Sequence, residues 1–216
     1  MLDVEGFILV GGASSRMGRD KSQLMLGRQT TVEHIADALS DVATRIRLVG
    51  ALAGGRYDRN QIESVPDLAD SWGPLGGIQA ALHAADAEWC VMIACDLPFI
   101  TGGLLRRLFE LGSNQAEGFA AVVPIQADEF PQPLCALYQR LPCLNAADES
   151  IRNGEHSPRA LLDKVKTRYV PFAEIADLAG ASNFFFNINT PESYERAQKM
   201  CQNPEPSSPL PLEEVG

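Results

Sequence analysis

Short apolar runs alternate with helix-spaced ones along the first half of the chain, and this alternation restricts the fold more than any other feature of the sequence. Gly6-Phe-Ile-Leu-Val10 is unbroken, too short for a helix and closed by Gly11-Gly12, which predicts a strand buried on both faces. Val32, Ile35, Ala36 and Leu39 then fall at i, i+3, i+4 and i+7 behind Thr30 and Thr31 as caps, and Ile46 to Gly50 returns to strand. Ile62 to Val65 is another short strand, stopped by Pro66. After the turn-rich Trp72-Gly-Pro-Leu-Gly-Gly77, helical spacing resumes at Ile78, Ala81, Leu82 and Ala85. Trp89 to Ala94 is the strongest strand, Thr101 a cap for a helix bearing Leu104, Leu105, Leu108 and Leu111, and Phe119 to Val123 a further strand. Parallel neighbours need crossovers, and a crossover is nearly always a right-handed helix. The expected fold class is therefore α/β: a three-layer α/β/α sandwich around a mostly parallel, Rossmann-like sheet.

Beyond Pro124 the rhythm loosens. Pro133 to Tyr138 reads as strand, Ser157 to Asp163 as helix, and Tyr169 to Phe172 and Phe184 to Ile188 as strands. Thr190-Pro191-Glu192 opens a last helix with a cap, proline in the first helical position and an acid in the first turn. Residues 1–202 are expected to form one domain and 203–216, rich in proline without apolar periodicity, a flexible tail. The formal net charge of −10 disfavours a general nucleic-acid or anionic-membrane surface, so a phosphate site must be local. Apolar runs fall far short of the roughly 20 residues that span a bilayer. No basic flank precedes an apolar stretch at the N-terminus, which argues against a secretory signal. The 5 cysteines lack CxxC or metal-ligand spacing and read as reduced thiols of a cytoplasmic protein rather than a zinc site. His34, His83 and His156 share no ligand spacing.

Ligands of open α/β sheets sit beyond the carboxyl ends of the strands, which draws attention to the loops there. The segment Leu9-Val-Gly-Gly-Ala-Ser-Ser-Arg-Met-Gly-Arg-Asp-Lys21 concentrates glycines, hydroxyls and cations behind a buried strand. Glycines let backbone N–H groups approach oxyanions, and Arg16, Arg19 and Lys21 neutralise phosphate charge, so its composition suits a polyphosphate cradle. Arg19 and Asp20 separate Gly18 from Lys21, which breaks the P-loop pattern, and G-x-G-x-x-G is missing too. The plainer alternative is a surface loop whose glycines serve turns. Asp96 ends the Trp89 to Ala94 strand in an Asp-Leu-Pro turn, where a carboxylate can hold Mg²⁺ or cap the next loop. Asn187 and Asn189 could complete a metal site, orient a second substrate or serve as turn and cap residues. Asp67 after Pro66 is equally an ordinary turn residue, and Trp72 to Gly77 equally a lead-in to a helix.

The Leu9 to Lys21 segment resembles the L-A-G-G-x-S-x-R-M-G-x-D-K signature of the molybdenum cofactor guanylyltransferases, with Val10 in place of alanine. These are nucleotidyltransferases of glycosyltransferase-A-like fold. Val65-Pro-Asp67, Gly73-Pro-Leu-Gly-Gly77, Cys95-Asp-Leu-Pro98, Phe130-Pro-Gln-Pro-Leu134 and Asn187-Ile-Asn-Thr-Pro191 follow in the family's order. The resemblance implies transfer of GMP from GTP to molybdenum-loaded molybdopterin with release of pyrophosphate. It implies catalytic roles for Arg16, Lys21 and Asp96, and nucleotide binding by Leu9, Val10, Gly11, Gly12, Lys21, Asp67 and Asp96. It makes Asp96 the ligand of Mg²⁺, with Asn187 and Asn189 as further ligands to be weighed. It also implies a cytoplasmic monomer that works beside other molybdenum cofactor biosynthesis proteins. The cytidylyltransferase relatives look like L-A-A-G in the first loop, so Gly11 favours guanine. A related enzyme using CTP or a small phosphorylated acceptor, and a non-catalytic nucleotide-binding module, are the competing expectations.

Overall fold

The structure is a computed structural model that describes residues 3–10, 21–50, 62–66, 73–112 and 117–202. In chain order the elements are β1 (Val4–Leu9), a 3₁₀ turn (Lys21–Gln23), β2 (Met25–Leu26), β3 (Gln29–Thr30) and α1 (Thr31–Ser40). Next come β4 (Arg45–Val49), β5 (Glu63–Val65), α2 (Gly73–Ala84), β6 (Trp89–Ala94) and α3 (Gly102–Gly112). The remainder are β7 (Ala121–Pro124), β8 (Cys135–Gln139), α4 (Arg140–Arg152), α5 (Pro158–Leu162), β9 (Thr167–Val170), 3₁₀ turns at Phe172–Glu174 and Ala181–Asn183, and α6 (Pro191–Gln202).

Seven strands form one sheet in the order β5-β4-β1-β6-β8-β7-β9, and β2 pairs with β3 in a separate small hairpin. β1 is parallel to β4 and β6, β4 to β5, and β7 to β9, while β8 runs against both β6 and β7. The expected α/β sandwich with a mostly parallel sheet is therefore the architecture observed. From β1 the chain first adds β4 and β5 on one side and then β6 on the other. The topological switch point thus lies between β1 and β6 at their carboxyl ends, where such sheets bind ligands.

Side chains alternate across the sheet into two cores. Val4 and Ile8 of β1 join Val91 and Ile93 of β6 under α1 and α3, through Val32, Ile35, Leu39, Leu104, Leu105 and Leu108. Phe7 and Leu9 join Met92 and Tyr138 on the opposite face under α2 and α4, through Leu75, Ile78, Leu82, Cys143 and Ala147. Every residue of β1 is buried, which explains the unbroken apolar reading from Gly6 onward, while Glu5 is buried against Arg47. The start of α1 is fixed by a capping box: Thr30 Oγ1 accepts from the Glu33 N–H, and the Glu33 carboxylate accepts from the Thr30 N–H. α3 ends flush against β7 at Gly112, where an added Cβ would overlap Val122 Cγ2. Gly112→Ala is therefore expected to cost about 1–3 kcal/mol through overpacking, read as a lower urea midpoint at unchanged m-value.

Two local expectations are corrected and one helix was not anticipated. Phe184 to Ile188 is not a strand: Phe184 continues out of a 3₁₀ turn with helical dihedrals, and the segment then crosses the sheet's carboxyl edge. The run of phenylalanines is apolar because Phe184 enters the core under α3, while Phe186 packs edge-on against Phe99. Gly73 to Gly77 is not a turn but the first part of α2, since Leu75 and Gly76 are buried and packing outweighs the low helix propensity of glycine. α4 is a helix that the apolar pattern did not announce. Its buried positions, Cys143, Ala146, Ala147, Ser150 and Ile151, have the helical spacing but mostly small side chains with little apolar contrast. The expected tail, 203–216, lies outside the described residues.

Candidate active site

The backbone ties the ends of β1 and β6 together before any side chain acts. The Cys95 N–H donates to the Leu9 carbonyl at 3.1 Å, and the Val10 N–H to the Val49 carbonyl at 2.8 Å. Asp96 is the next residue along, and its own carbonyl accepts from the Ile188 N–H at 3.0 Å. That last bond brings the Asn187 to Asn189 segment across the switch point.

Four side chains converge there. The Lys21 ammonium lies 3.4 Å from Asp96 Oδ2 and donates to Asn189 Oδ1 at 2.5 Å. The Asn187 amide, oriented to satisfy both groups, donates to Asp96 Oδ1 at 3.1 Å and Oδ2 at 3.3 Å. Lys21 and Asp96 side chains are about four-fifths buried, being 21% and 22% exposed. Burial pushes the Asp96 carboxyl above its ordinary value, while the charge and hydrogen bond of Lys21 pull it down. The buried thiols of Cys90, Cys135 and Cys143 are pushed up to about 12, which leaves them protonated and poor nucleophiles.

The supports for this cluster come from both ends of the chain. Thr31 Oγ1, in the first turn of α1, donates to the Lys21 carbonyl at 2.7 Å. The β2–β3 hairpin presses Leu24 and Leu26 against Ile188 and Ala197, with Phe99, Phe186 and Tyr194 at the margin, and Tyr194 Oη donates to the Met25 carbonyl at 2.8 Å. Ser193 Oγ accepts from the Asn189 and Thr190 N–H groups at 3.0 and 2.9 Å, and Thr190 Oγ1 accepts from the Ser193 N–H at 3.2 Å. Thr190 therefore caps α6, which leaves the Asn189 side chain turned to Lys21. Sequence reasoning did not single out Ser193 or Tyr194. The serine and the glutamate beside it read as an ordinary helix start, and nothing local links Tyr194 to a hairpin 169 residues away.

Of the residues expected to matter, Lys21, Asp96, Asn187 and Asn189 are brought together, with Leu9 and Val10 forming the adjoining strand end. Leu9 is buried and packs against the first turns of α2, its Cδ2 lying 3.7 Å from where a Cβ on Gly77 would stand. Gly11, Gly12, Arg16 and Asp67 lie outside the described residues. Among the described residues no group of three or more His, Cys, Asp and Glu could hold a metal ion. A hard cation here would rest on Asp96 and neutral oxygens, as Mg²⁺ does when substrate phosphates and water complete its shell. The fit is good, because Asp96 Oδ2 and Asn189 Oδ1 already face a cation, the Lys21 ammonium. Among the described residues no helix is long and apolar enough to cross a membrane.

An acid and a lysine drawn together at the switch point of a mostly parallel sheet suit the handling of polyphosphate, and the protein is a nucleotidyltransferase. It belongs to the MobA-like NTP transferase domain family, whose model matches residues 6–168. It is 36% identical, over 94% of its own length and 96% of the relative's, to a probable molybdenum cofactor guanylyltransferase of Pelotomaculum thermopropionicum. It is 30% identical to the molybdenum cofactor guanylyltransferase of Vibrio cholerae, over 88% and 89% of the two chains. Among solved structures it resembles molybdopterin-guanine dinucleotide biosynthesis protein A from Archaeoglobus fulgidus, with TM-score 0.75, 27% identity and coverage of 92% and 98%. It shares its fold with the 2-C-methyl-D-erythritol 4-phosphate cytidylyltransferase of Thermus thermophilus at TM-score 0.67, 16% identity and coverage of 91% and 98%.

Proposed function

We propose that the protein transfers GMP from GTP to molybdenum-loaded molybdopterin, forming the guanine dinucleotide cofactor and pyrophosphate. The observation that carries this reading is the near full-length similarity to relatives named for guanylyl transfer in molybdenum cofactor synthesis. The acceptor's terminal phosphate is already an anion, so the reaction needs no group to deprotonate it, and the work left to the protein is alignment and countercharge. Leu9, Val10 and the backbone amides of Gly11 and Gly12 hold the nucleotide, and Asp67 contacts it. Lys21 and Arg16 neutralise charge that grows on the departing pyrophosphate. Asp96 and Asn189 would hold Mg²⁺ through their oxygens, and Asn187 keeps the Asp96 carboxylate in place by donating to both of its oxygens. When bound, the ion supplies countercharge shared between phosphate groups. The protein acts in the cytoplasm as a monomer, beside other molybdenum cofactor biosynthesis proteins that supply or receive the pterin.

Initial rates of pyrophosphate release with GTP and with CTP, on one preparation supplied with the molybdenum-loaded acceptor, test the reading. A site that hydrogen-bonds one base edge rejects the other by leaving its polar groups unpaired, so GTP is expected to win by at least about 100-fold. A preference for CTP would overturn the guanine assignment. Nucleotide binding without release from either triphosphate would leave only a binding module.

A further inference from the structure

Asp96 and Asn189 turn oxygens toward the Lys21 ammonium, at 3.4 and 2.5 Å; the Lys21 and Asp96 side chains are four-fifths shielded from water, and Asn189 lies at the exposed rim. A carboxylate paired with a neutral amide oxygen is also a sound donor set for a small divalent cation. The two cations cannot share one position. Mg²⁺ bonds oxygen at about 2.1 Å, which is inside the volume an ammonium fills when it bonds the same two atoms, and the charges repel at short range. Lys21 is the part free to move, since its four-carbon stem has many rotamers, whereas the short Asp96 side chain is held at both oxygens by the Asn187 amide. Asn189 is anchored by its N–H to Ser193 Oγ.

We propose that Lys21 is a stand-in for the divalent cation: it holds Asp96 and Asn189 together before substrate arrives, and metal enters tightly only when a triphosphate draws the ammonium away. The proposal rests on the reading of Asp96 as the carboxylate that holds metal, and adds an order to it. The free protein binds metal weakly because a resident cation competes. Nucleotide phosphates compete for that cation in turn and release the oxygens. By reciprocity, metal strengthens nucleotide binding by the same factor as nucleotide strengthens metal binding. The device also keeps a buried carboxylate from standing without countercharge in the empty enzyme.

The test is titration of the full-length protein with Mn²⁺ alone, followed by the electron paramagnetic resonance signal of the free ion, with no nucleotide present. Lys21→Met keeps the stem and removes the charge. It is expected to bind Mn²⁺ roughly 10- to 100-fold more tightly than the parent protein, the usual size of a coupling between two ligands. Its turnover is expected to fall on the order of 10²–10³-fold, as for loss of one preorganised donor. Lys21→Arg keeps a cation and is expected to stay with the parent in Mn²⁺ affinity, which separates charge from packing should the Met variant unfold. Mn²⁺ affinity unchanged or weakened in Lys21→Met, with Lys21→Arg no different, overturns the stand-in role. Asp96→Asn distinguishes this from failure of the underlying reading: if it binds Mn²⁺ as the parent does, Asp96 is not the metal carboxylate at all.

Discussion

Asp96→Asn is expected to lower turnover by about 10³-fold, since countercharge on reacting phosphates is worth several kcal/mol and each 1.4 kcal/mol is tenfold. The same substitution is expected to leave the melting temperature at pH 7 unchanged or raised. The reason lies in the direction of the Asp96 shift. Burial raises its folded-state value above the unfolded one, so the folded protein binds the proton more tightly. Stability from this group is then present below the unfolded value and lost as pH rises through the raised folded value. Wherever the carboxylate is ionised it is a cost to the fold, and the neutral amide of asparagine removes it. A melting temperature lowered by several degrees, measured alongside the rate, would mean that the lost activity reflects damage to the fold. Sites that hold charge out of water often trade stability for function in this way.

Arg47→Met is expected to destabilise the protein by about 3–5 kcal/mol, the usual result of leaving one partner of a buried ion pair alone. In a chain of this length that is a fall of roughly 6–20 °C in melting temperature. Arg47 and Glu5 sit on neighbouring strands, with side chains 7% and 6% exposed and Nη1 to Oε2 at 3.4 Å. Glu5 Oε2 and Arg47 Nε lack hydrogen bonds of good geometry and meet their countercharges at 3.4 and 3.5 Å through charge alone. Arg47 also donates to the Ala84 carbonyl at the end of α2, reaches Asp86 Oδ2 at 3.3 Å and lies 5.9 Å over the Phe7 ring. A cation at a helix carboxyl end is favourable, and so is one on an aromatic face. Adding Glu5→Gln to Arg47→Met is expected to restore part of the loss, because the stranded carboxylate is then gone. Additive losses in urea unfolding would show that Arg47 acts through Ala84 and Phe7 rather than through Glu5.

The sheet was legible because its strands are buried on both faces. Gly6–Leu9 and Trp89–Ala94 then read as continuously apolar, with Glu5 the buried exception, and their helical crossovers carry the 3.6-residue spacing. Legibility failed where apolar content and backbone shape part company. Phe184 to Ile188 is as apolar as a strand, but its rings fill holes at the carboxyl edge of the sheet and its backbone pairs with none of it over that length. α4 erred the other way, hiding a helix behind alanines. At the site, Lys21 and Asp96 could be read from composition and position, since cations after a buried strand and an acid after the next central one have few other uses. The division of labour between the two asparagines could not. Asn187 gives its amide hydrogens to Asp96 while Asn189 turns its oxygen to Lys21, a difference set by the Ile188 to Asp96 backbone bond and the cap of α6.

Lys21 and Asn189 are separated by 168 residues of chain, and the hairpin that seats the lysine leans on the final helix. The chain must therefore be made as far as α6 before this corner can close. The nascent sheet can take shape much earlier, because β1, β4, β5 and β6 all precede Cys95 in the chain. This corner is thus fastened long after the sheet's first strands are made, and a product cut short before Pro191 would carry the sheet without the helix that locks it.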